Sequence, residues 1–241
     1  MNIAIVQARM SSSRLPGKVL RNLGSRPVLS WVLRAALVSE VFDDLVVATS
    51  TRGDDDAVAS LASIEGARCV RGPLDDVLTR FLMALEGVDV ATVARFTADC
   101  PLLDPDIIKM AVQAFNPDEM DYLGTTVPPR TLPRGLDVEV FSPEALRRAD
   151  QLATGPHRSH VTSYLYRHPE DFRVTGLTFS PPADDLRVTL DTEEDAELLD
   201  RLVEELGDQP PNWRDIVGLL RSRPDLAELN ARVVQKGFDE S

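Results

Sequence analysis

Cysteine, histidine and aromatic side chains are all scarce in this 241-residue chain, which holds two, three and 5% of them respectively. Cys69 and Cys100 stand alone and in no metal-ligand spacing, which excludes a disulfide framework and a cysteine-bound zinc site. No apolar run approaches the length of a membrane span. The opening residues also lack the charged lead and cleavage pattern of a secretory signal, so the expected location is a reducing cytoplasm. Acid is missing from one place only. Residues 1–39 contain Arg9, Arg14, Lys18, Arg21, Arg26 and Arg34 and no carboxylate before Glu40, a charge of +6 that leaves −19 to the rest of a chain whose net charge is −13. The overall acidity speaks against nucleic acid or an anionic membrane as partner, while the local excess of cations points to a small anionic ligand.

What is present at that basic end is compact. A short apolar run over residues 3–6 reads as a buried first strand, and it is followed at once by Arg9, three serines over 11–13, Arg14, Pro16, Gly17 and Lys18. Hydroxyls and freed backbone N–H groups supply donors and the cations supply charge, the makings of an anion cradle. A solvated basic loop has the same composition.

Beyond the cradle, helical and strand patterns alternate. Helices are expected over residues 27–40, 54–65, 75–86 and 105–115, and strands over 45–50, around 69–70 and over 88–96. Strands apolar on both faces imply a mainly parallel, Rossmann-like sheet covered by helices on both faces, with ligands beyond the carboxyl ends of the strands. The cradle and the segments 49–54, 71–75 and 97–101 would gather there. After residue 121 the chain reads as a Pro-rich loop over 127–135, a strand over 136–141, a loop over 154–158, a helix over 160–167, and a strand over 187–191 running into an acidic helix that ends near 206. The run Gln209-Pro210-Pro211-Asn212 divides a domain of residues 1–208 from a small helical extension of residues 209–241, whose last residues are expected to fray.

The opening segment Gln7-Ala8-Arg9-Met10-x-Ser12-x-Arg14-Leu15-Pro16-Gly17-Lys18-Val19-Leu20 resembles the signature of the cytidylyltransferases that activate acidic sugars, in the branch typified by spore-coat polysaccharide biosynthesis protein F. Later matches include Arg71-Gly72, Asp75-Asp76-Val77-Leu78, Asp99-Cys100-Pro101-Leu102 and His160-Val161-Thr162, so the likeness runs through roughly the first 200 residues. It implies a single α/β domain of the nucleotide-diphospho-sugar transferase type. The implied reaction is Mg²⁺-dependent transfer of CMP from CTP to a hydroxyl of an acidic small molecule, with loss of pyrophosphate and with a homodimer as the assembly.

Under that resemblance Arg14, Lys18, Asp99 and Asp191 are the catalytic candidates, the two aspartates as magnesium ligands. Ala8, Arg9, Ser12, Thr49, Asp75 and Thr97 join Arg14 and Lys18 as nucleotide-binding candidates. On their own chemistry, Asp99 also reads as a turn residue and Asp191 as a helix N-cap. Arg134, Asp137, Glu139, Arg158 and His160 are the acceptor-side candidates, against the plainer readings of solvated arginines and an exposed strand face. The sequence departs from the family pattern at Ser159, where Glu is usual, and at Ala98, where Gly is usual. Two other readings compete: a glycosyltransferase of related fold, for which Asp54-Asp55-Asp56 is the nearest metal motif, and a nucleotide-binding partner without turnover.

Overall fold

In the computed structural model, which describes residues 1–235, 237 and 238, the alternating pattern folds as one layered α/β body. The strands are β1 (Asn2–Gln7), β2 (Asn22–Leu23), β3 (Arg26–Pro27), β4 (Asp44–Ser50), β5 (Arg68–Gly72), β6 (Thr92–Thr97), β7 (Tyr122–Gly124), β8 (Glu139–Phe141) and β9 (Val174–Gly176). The longer helices are α1 (Val28–Val38), α2 (Asp56–Ile64), α3 (Val77–Ala84), α4 (Pro105–Ala114) and α5 (Pro143–Leu152). They are followed by α6 (Pro156–Ser159), α7 (Ser163–Arg167), α8 (Glu193–Leu206), α9 (Trp213–Ser222) and α10 (Pro224–Ala227). None of the helices is long and apolar enough to cross a membrane.

Seven strands form the main sheet in the order β5-β4-β1-β6-β8-β7-β9. The pairs β5-β4, β4-β1, β1-β6 and β7-β9 are parallel, and β8 runs antiparallel to both β6 and β7. Side-chain alternation divides the core. Ala4 and Val6 of β1 face a cluster with α1, α4 and α8, whereas Ile3 and Ile5 face a second cluster with α3 and α5. Burial of apolar side chains on both faces is what holds a parallel sheet in place. Its carboxyl-terminal edge is where β1, β4, β5 and β6 all end.

Several boundaries differ from expectation. The sixth strand begins at Thr92, because Glu86 and Gly87 close a turn and Gly87 takes a positive φ of 73°. The segment 136–141 pairs only from Glu139. The extended run 187–191 makes a single bridge, Arg187 to Arg134, and is otherwise held by side chains and by the Leu190 N–H, which donates to the Asp99 carbonyl at 2.8 Å. The expected loop at 154–158 contains the short helix α6, and α7 starts at Ser163, three residues later than the pattern suggests. β7 and β9 are too short to carry a periodic signal; α5 is very polar, with its apolar stripe confined to Pro143, Ala145, Leu146 and Ala149.

Residues beyond the Pro-Pro boundary do not stand apart. Trp213, Ile216, Leu220 and Leu226 are buried in the same cluster as α1 and α8, and Trp213 N–H donates to Asp104 at 2.8 Å. The expectation of fraying for residues 239–241 lies outside the described residues.

Candidate functional site

The cradle loop is shaped before any ligand enters. Gly17, at φ 73°, sits in the left-handed region that favours glycine, and its N–H closes the loop on the Met10 carbonyl at 2.9 Å. Asp55, 2% exposed, accepts from Met10 N–H at 2.7 Å and from the Ser50 N–H and hydroxyl, tying the loop to the end of β4. That employment removes the central acid of Asp54-Asp55-Asp56 from any metal motif, since its oxygens already serve the backbone. Asp54 and Asp56 are exposed.

Lys18 is carried inward on the turn after Gly17 and is 9% exposed. Its ammonium donates to Asp99 Oδ2 at 2.7 Å, Asp191 Oδ1 at 2.8 Å and the Leu190 carbonyl at 2.8 Å, which uses all three of its protons. Arg14 Nη2 lies 2.9 Å from Asp191 Oδ2. Burial alone would lower the Lys18 pKa, but the charges of Asp99 and Asp191 outweigh it and hold it above the ordinary value. Burial would likewise raise Asp99, and the adjacent ammonium overrides it, drawing that carboxyl down to about 2.

Asp191 is not a helix N-cap. Thr192 fills that position in a reciprocal capping box with Asp195, which opens α8. Asp195, fully buried, accepts the N–H groups of Asp191 and Thr192 and pairs with Arg187 at 2.8 Å, while Arg187 reaches Asp191 at 2.8 Å. Cap and ion pair together fix the Asp191 carboxylate toward Lys18. Asp99, on the turn after β6, is held from the other side by Leu190 N–H and Thr189 Oγ1, which donate to its carbonyl at 2.8 and 3.0 Å.

These groups line a cleft of about 930 Å³ above the carboxyl ends of β1 and β6. Ala8, Arg9, Ser12 and Thr97 share it with the Arg14–Lys18–Asp99–Asp191 cluster, and so do Arg134, Asp137, Glu139 and His160. Three candidates fall outside. Thr49 is fully buried behind the strand end, and Asp75 is exposed. Arg158 is bound to Asp76 and Asp150, both at 2.7 Å, where it ties α3 to the end of α5.

On the other side of the cleft, Glu139 is 5% exposed and is the acceptor of a buried network. It takes hydrogen bonds from Arg95, from Tyr122 at 2.6 Å and from Thr162 at 2.8 Å, so it is a floor and not an exposed strand face. Burial would lower the Arg95 pKa, but the Glu139 charge raises it above the ordinary arginine value. Asp137 pairs with Arg130 at 2.5 Å. Burial, reinforced by Arg95, lowers the His160 pKa, and its Nε2 is buried without a partner among the described residues.

Sequence reasoning missed Arg80, Arg95, Arg187 and Asp195. Arg80 and Arg95 carried a readable signal, a charge inside an apolar helical stripe and inside an apolar strand. The chain's end was missed as well: Val234 O accepts from Arg14 at 3.2 Å, Gln235 from Arg187 at 2.7 Å, and the Phe238 ring stacks 4.8 Å from His160 with Arg167 over its face at 3.9 Å. Nothing in its composition places that segment across the cleft mouth.

Two carboxylates with oxygens on one shared cation suit a hard divalent ion. Among the described residues no cluster of three or more His, Cys, Asp or Glu could hold a metal by protein ligands alone. Mg²⁺ needs only one or two carboxylates when phosphate oxygens and water complete its shell, so the donor set fits.

Comparison with known proteins agrees with this geometry. A family model described as cytidylyltransferase matches residues 3–233. The spore coat polysaccharide biosynthesis protein SpsF of Bacillus subtilis is 33% identical over 92% of this chain and 95% of its own length. A cytidylyltransferase structure from Leptospira borgpetersenii superposes with a TM-score of 0.90 at 27% identity, covering 98% of this chain and 99% of the other. A structure of CMP:2-keto-3-deoxy-manno-octonic acid synthetase complexed with CTP shares the fold at a TM-score of 0.67, 16% identity and coverage of 85% and 98%. With a family model matched over residues 3–233 and a relative 33% identical along nearly its whole length, the chain is an enzyme belonging to the cytidylyltransferases.

Proposed function

We propose that this enzyme transfers CMP from CTP to a hydroxyl group of an acidic sugar or a similar acidic small molecule, releasing pyrophosphate. The observation that carries the reading is the Lys18 ammonium held between Asp99 and Asp191 with Arg14 alongside, at the ends of β1 and β6. Opposite charges are stored against one another in the position where a triphosphate and its counter-ion are needed.

The chain's own residues divide the work. Arg14 and Lys18 exchange their carboxylate partners for oxygens of the β- and γ-phosphates, where they neutralise the charge that builds on departing pyrophosphate. Asp99 and Asp191, relieved of those cations, are the residues that hold Mg²⁺. Bound there, the ion supplies Lewis-acid charge at the α-phosphate. Arg9 and the serine hydroxyls of the cradle orient the nucleotide, and Arg130 and Arg134 are the cations available to an acceptor carboxylate. The acceptor oxygen bonds to the α-phosphorus and its hydroxyl proton passes to water as the bond from that phosphorus to the bridging oxygen of the pyrophosphate breaks; alignment of the two oxygens is the main service of a rigid cleft. His160, its pKa lowered, is neutral at pH 7 and accepts a proton only weakly.

The employment of Asp55 by the cradle backbone weighs against the glycosyltransferase reading. The intact cation–carboxylate cluster weighs against a partner protein without turnover. The SpsF relative suggests an acceptor destined for a surface polysaccharide, made in the cytoplasm where CTP is available. Homodimerisation rests on the family resemblance, with residues 128–136 at the contact, and sedimentation equilibrium measures it.

The test of the reading is pyrophosphate release from CTP and Mg²⁺ with a panel of acidic sugars that includes 3-deoxy-manno-octulosonate. Release that requires CTP, the cation and an acidic acceptor, and that falls about 100-fold or more in Asp99→Asn, is the expected result. Undiminished release in Asp99→Asn would remove the metal assignment.

A further inference from the structure

One buried charge in the cleft is not absorbed by the mechanism above. Arg80 lies on α3 in the apolar stripe formed with Val77, Phe81 and Ala84 and is 1% exposed. Its Nε and Nη1 are both buried and have no hydrogen-bond partner among the described residues. Buried donors are paired in the great majority of cases, and a guanidinium presents five of them, so two orphaned nitrogens on one side chain call for a partner that arrives from outside.

The surroundings narrow that partner. Arg80 lines the same cleft as Arg9 and the cradle serines. The nearest acids are engaged elsewhere or turned to solvent: Asp76 accepts from Arg158 and caps α3, Asp55 serves Met10 and Ser50, and Asp75 is exposed. Burial, with the like charge of Arg9 second, lowers the Arg80 pKa to about 10, so the group is still charged at neutral pH. Space is kept for it as well. A Cβ on Gly72, the last residue of β5, would stand 2.9 Å from both Arg80 Cγ and Met83 Sδ, so the bare strand end is what lets the arginine stem cross it.

Position then decides which end of a nucleotide Arg80 meets. The Lys18–Asp99–Asp191 cluster sits at the ends of β1 and β6, whereas Arg80 packs under the end of β5, on the far side of β4 in the order β5-β4-β1-β6. Because Arg80 lines one cleft with Arg9, Arg14 and Lys18, the base of a nucleotide whose phosphates lie on Lys18 and Arg14 can reach it along that edge. We propose that Arg80 binds the base end of the nucleotide, donating to the 2-carbonyl oxygen of a pyrimidine, and so selects pyrimidine over purine nucleotides. This rests on the CTP reading, and it separates base recognition from phosphate binding at Arg14 and Lys18.

The test uses the full chain with Arg80→Met, which keeps the stem and removes the charge, and with Arg80→Lys, which keeps the charge and removes the fork. Thermal unfolding is measured without ligand, and calorimetry gives affinities for CTP, CMP and inorganic pyrophosphate. The expected result for Arg80→Met is an unliganded Tm equal to or above that of the wild type, because an unpaired buried charge has gone. With it comes a loss of CTP and CMP affinity of about 10–100-fold, the worth of a hydrogen bond to a charged donor, with pyrophosphate affinity unchanged. Arg80→Lys, expected to fold whatever Arg80→Met does, should show the same pattern at reduced size. CTP and CMP affinities within about twofold of wild type in either folded variant overturn the proposal. So does a loss shared equally by pyrophosphate, which would make Arg80 a phosphate ligand. A wild type that does not bind CTP would instead overturn the functional reading on which the proposal stands.

Discussion

Lys18 is the residue on which the unliganded site depends. Its ammonium holds two carboxylates that would otherwise face each other across the cleft. Lys18→Met should therefore destabilise the fold by about 3 kcal/mol at pH 7, the usual cost of breaking a buried pair from one side. The sign of the pH response follows. With the ammonium present the Asp99 pKa is drawn down to about 2, so the contribution is complete above the unfolded carboxylate value of 3.8 and is lost as pH falls from there toward 2. Without it, burial raises Asp99, so the variant recovers relative to wild type as pH falls from 7 toward 4, and added Mg²⁺ should raise its Tm more than that of the wild type. Differential scanning calorimetry across pH and Mg²⁺ reads both effects. His160 gives a second check. Its folded pKa lies below the unfolded 6.5, so the unfolded chain binds the proton first and stability, full above pH 6.5, declines as pH drops below it. In His160→Gln that part of the decline should be absent from a Tm-against-pH profile.

At the level of elements, the capping box of α8 and the turn after β6 do the positioning. Thr192→Ala should cost about 1 kcal/mol through loss of the cap. It should also weaken Mg²⁺ and nucleotide binding, because the same turn aims Asp191; binding unchanged in the folded variant would detach the cap from the site. The C-terminal helices are a different case. Trp213 is 2% exposed and its backbone N–H donates to Asp104, the N-cap of α4, so loss of its buried indole in Trp213→Ala should cost about 3–5 kcal/mol in chemical unfolding with a single transition. A separate second transition would show that residues 209–241 fold by themselves.

These two elements also show how far the sequence could be read. The cradle was legible because Pro16-Gly17, the serines and three cations sit within ten residues, and its glycine and lysine do what the local chemistry demands. Asp99 was legible from its place after an apolar strand. Asp191 could be named through resemblance, while its plainer reading as a cap gives way to its neighbour Thr192, which takes that position in a capping box with Asp195. Arg187 lies in an extended run with a single backbone bridge, and a strand pattern says nothing of its side-chain partners Asp191 and Asp195. Arg158 looked like an acceptor cation because side-chain partners 82 residues away at Asp76 leave no local trace. Short strands such as β7 and β9, three residues each, fall below what period-two alternation can register.

Across the whole molecule, the uneven charge of the chain takes on a spatial meaning. A protein of net −13 repels anions at a distance, and of the six cations in its first 39 residues Arg9, Arg14 and Lys18 line the cleft at the sheet edge, the last two paired with Asp99 and Asp191. The seven-stranded sheet, packed by apolar clusters on both faces, supplies the edge on which the cleft is built.

The measurement that tests this account most directly is calorimetric binding of CTP, UTP, ATP and GTP in the presence and absence of Mg²⁺, with wild type and Lys18→Ala side by side. The account predicts that CTP binds tightest, that Mg²⁺ strengthens its binding, and that Lys18→Ala weakens it by about tenfold or more. Equal affinity for all four nucleotides, or CTP binding untouched by the loss of Lys18, would contradict it.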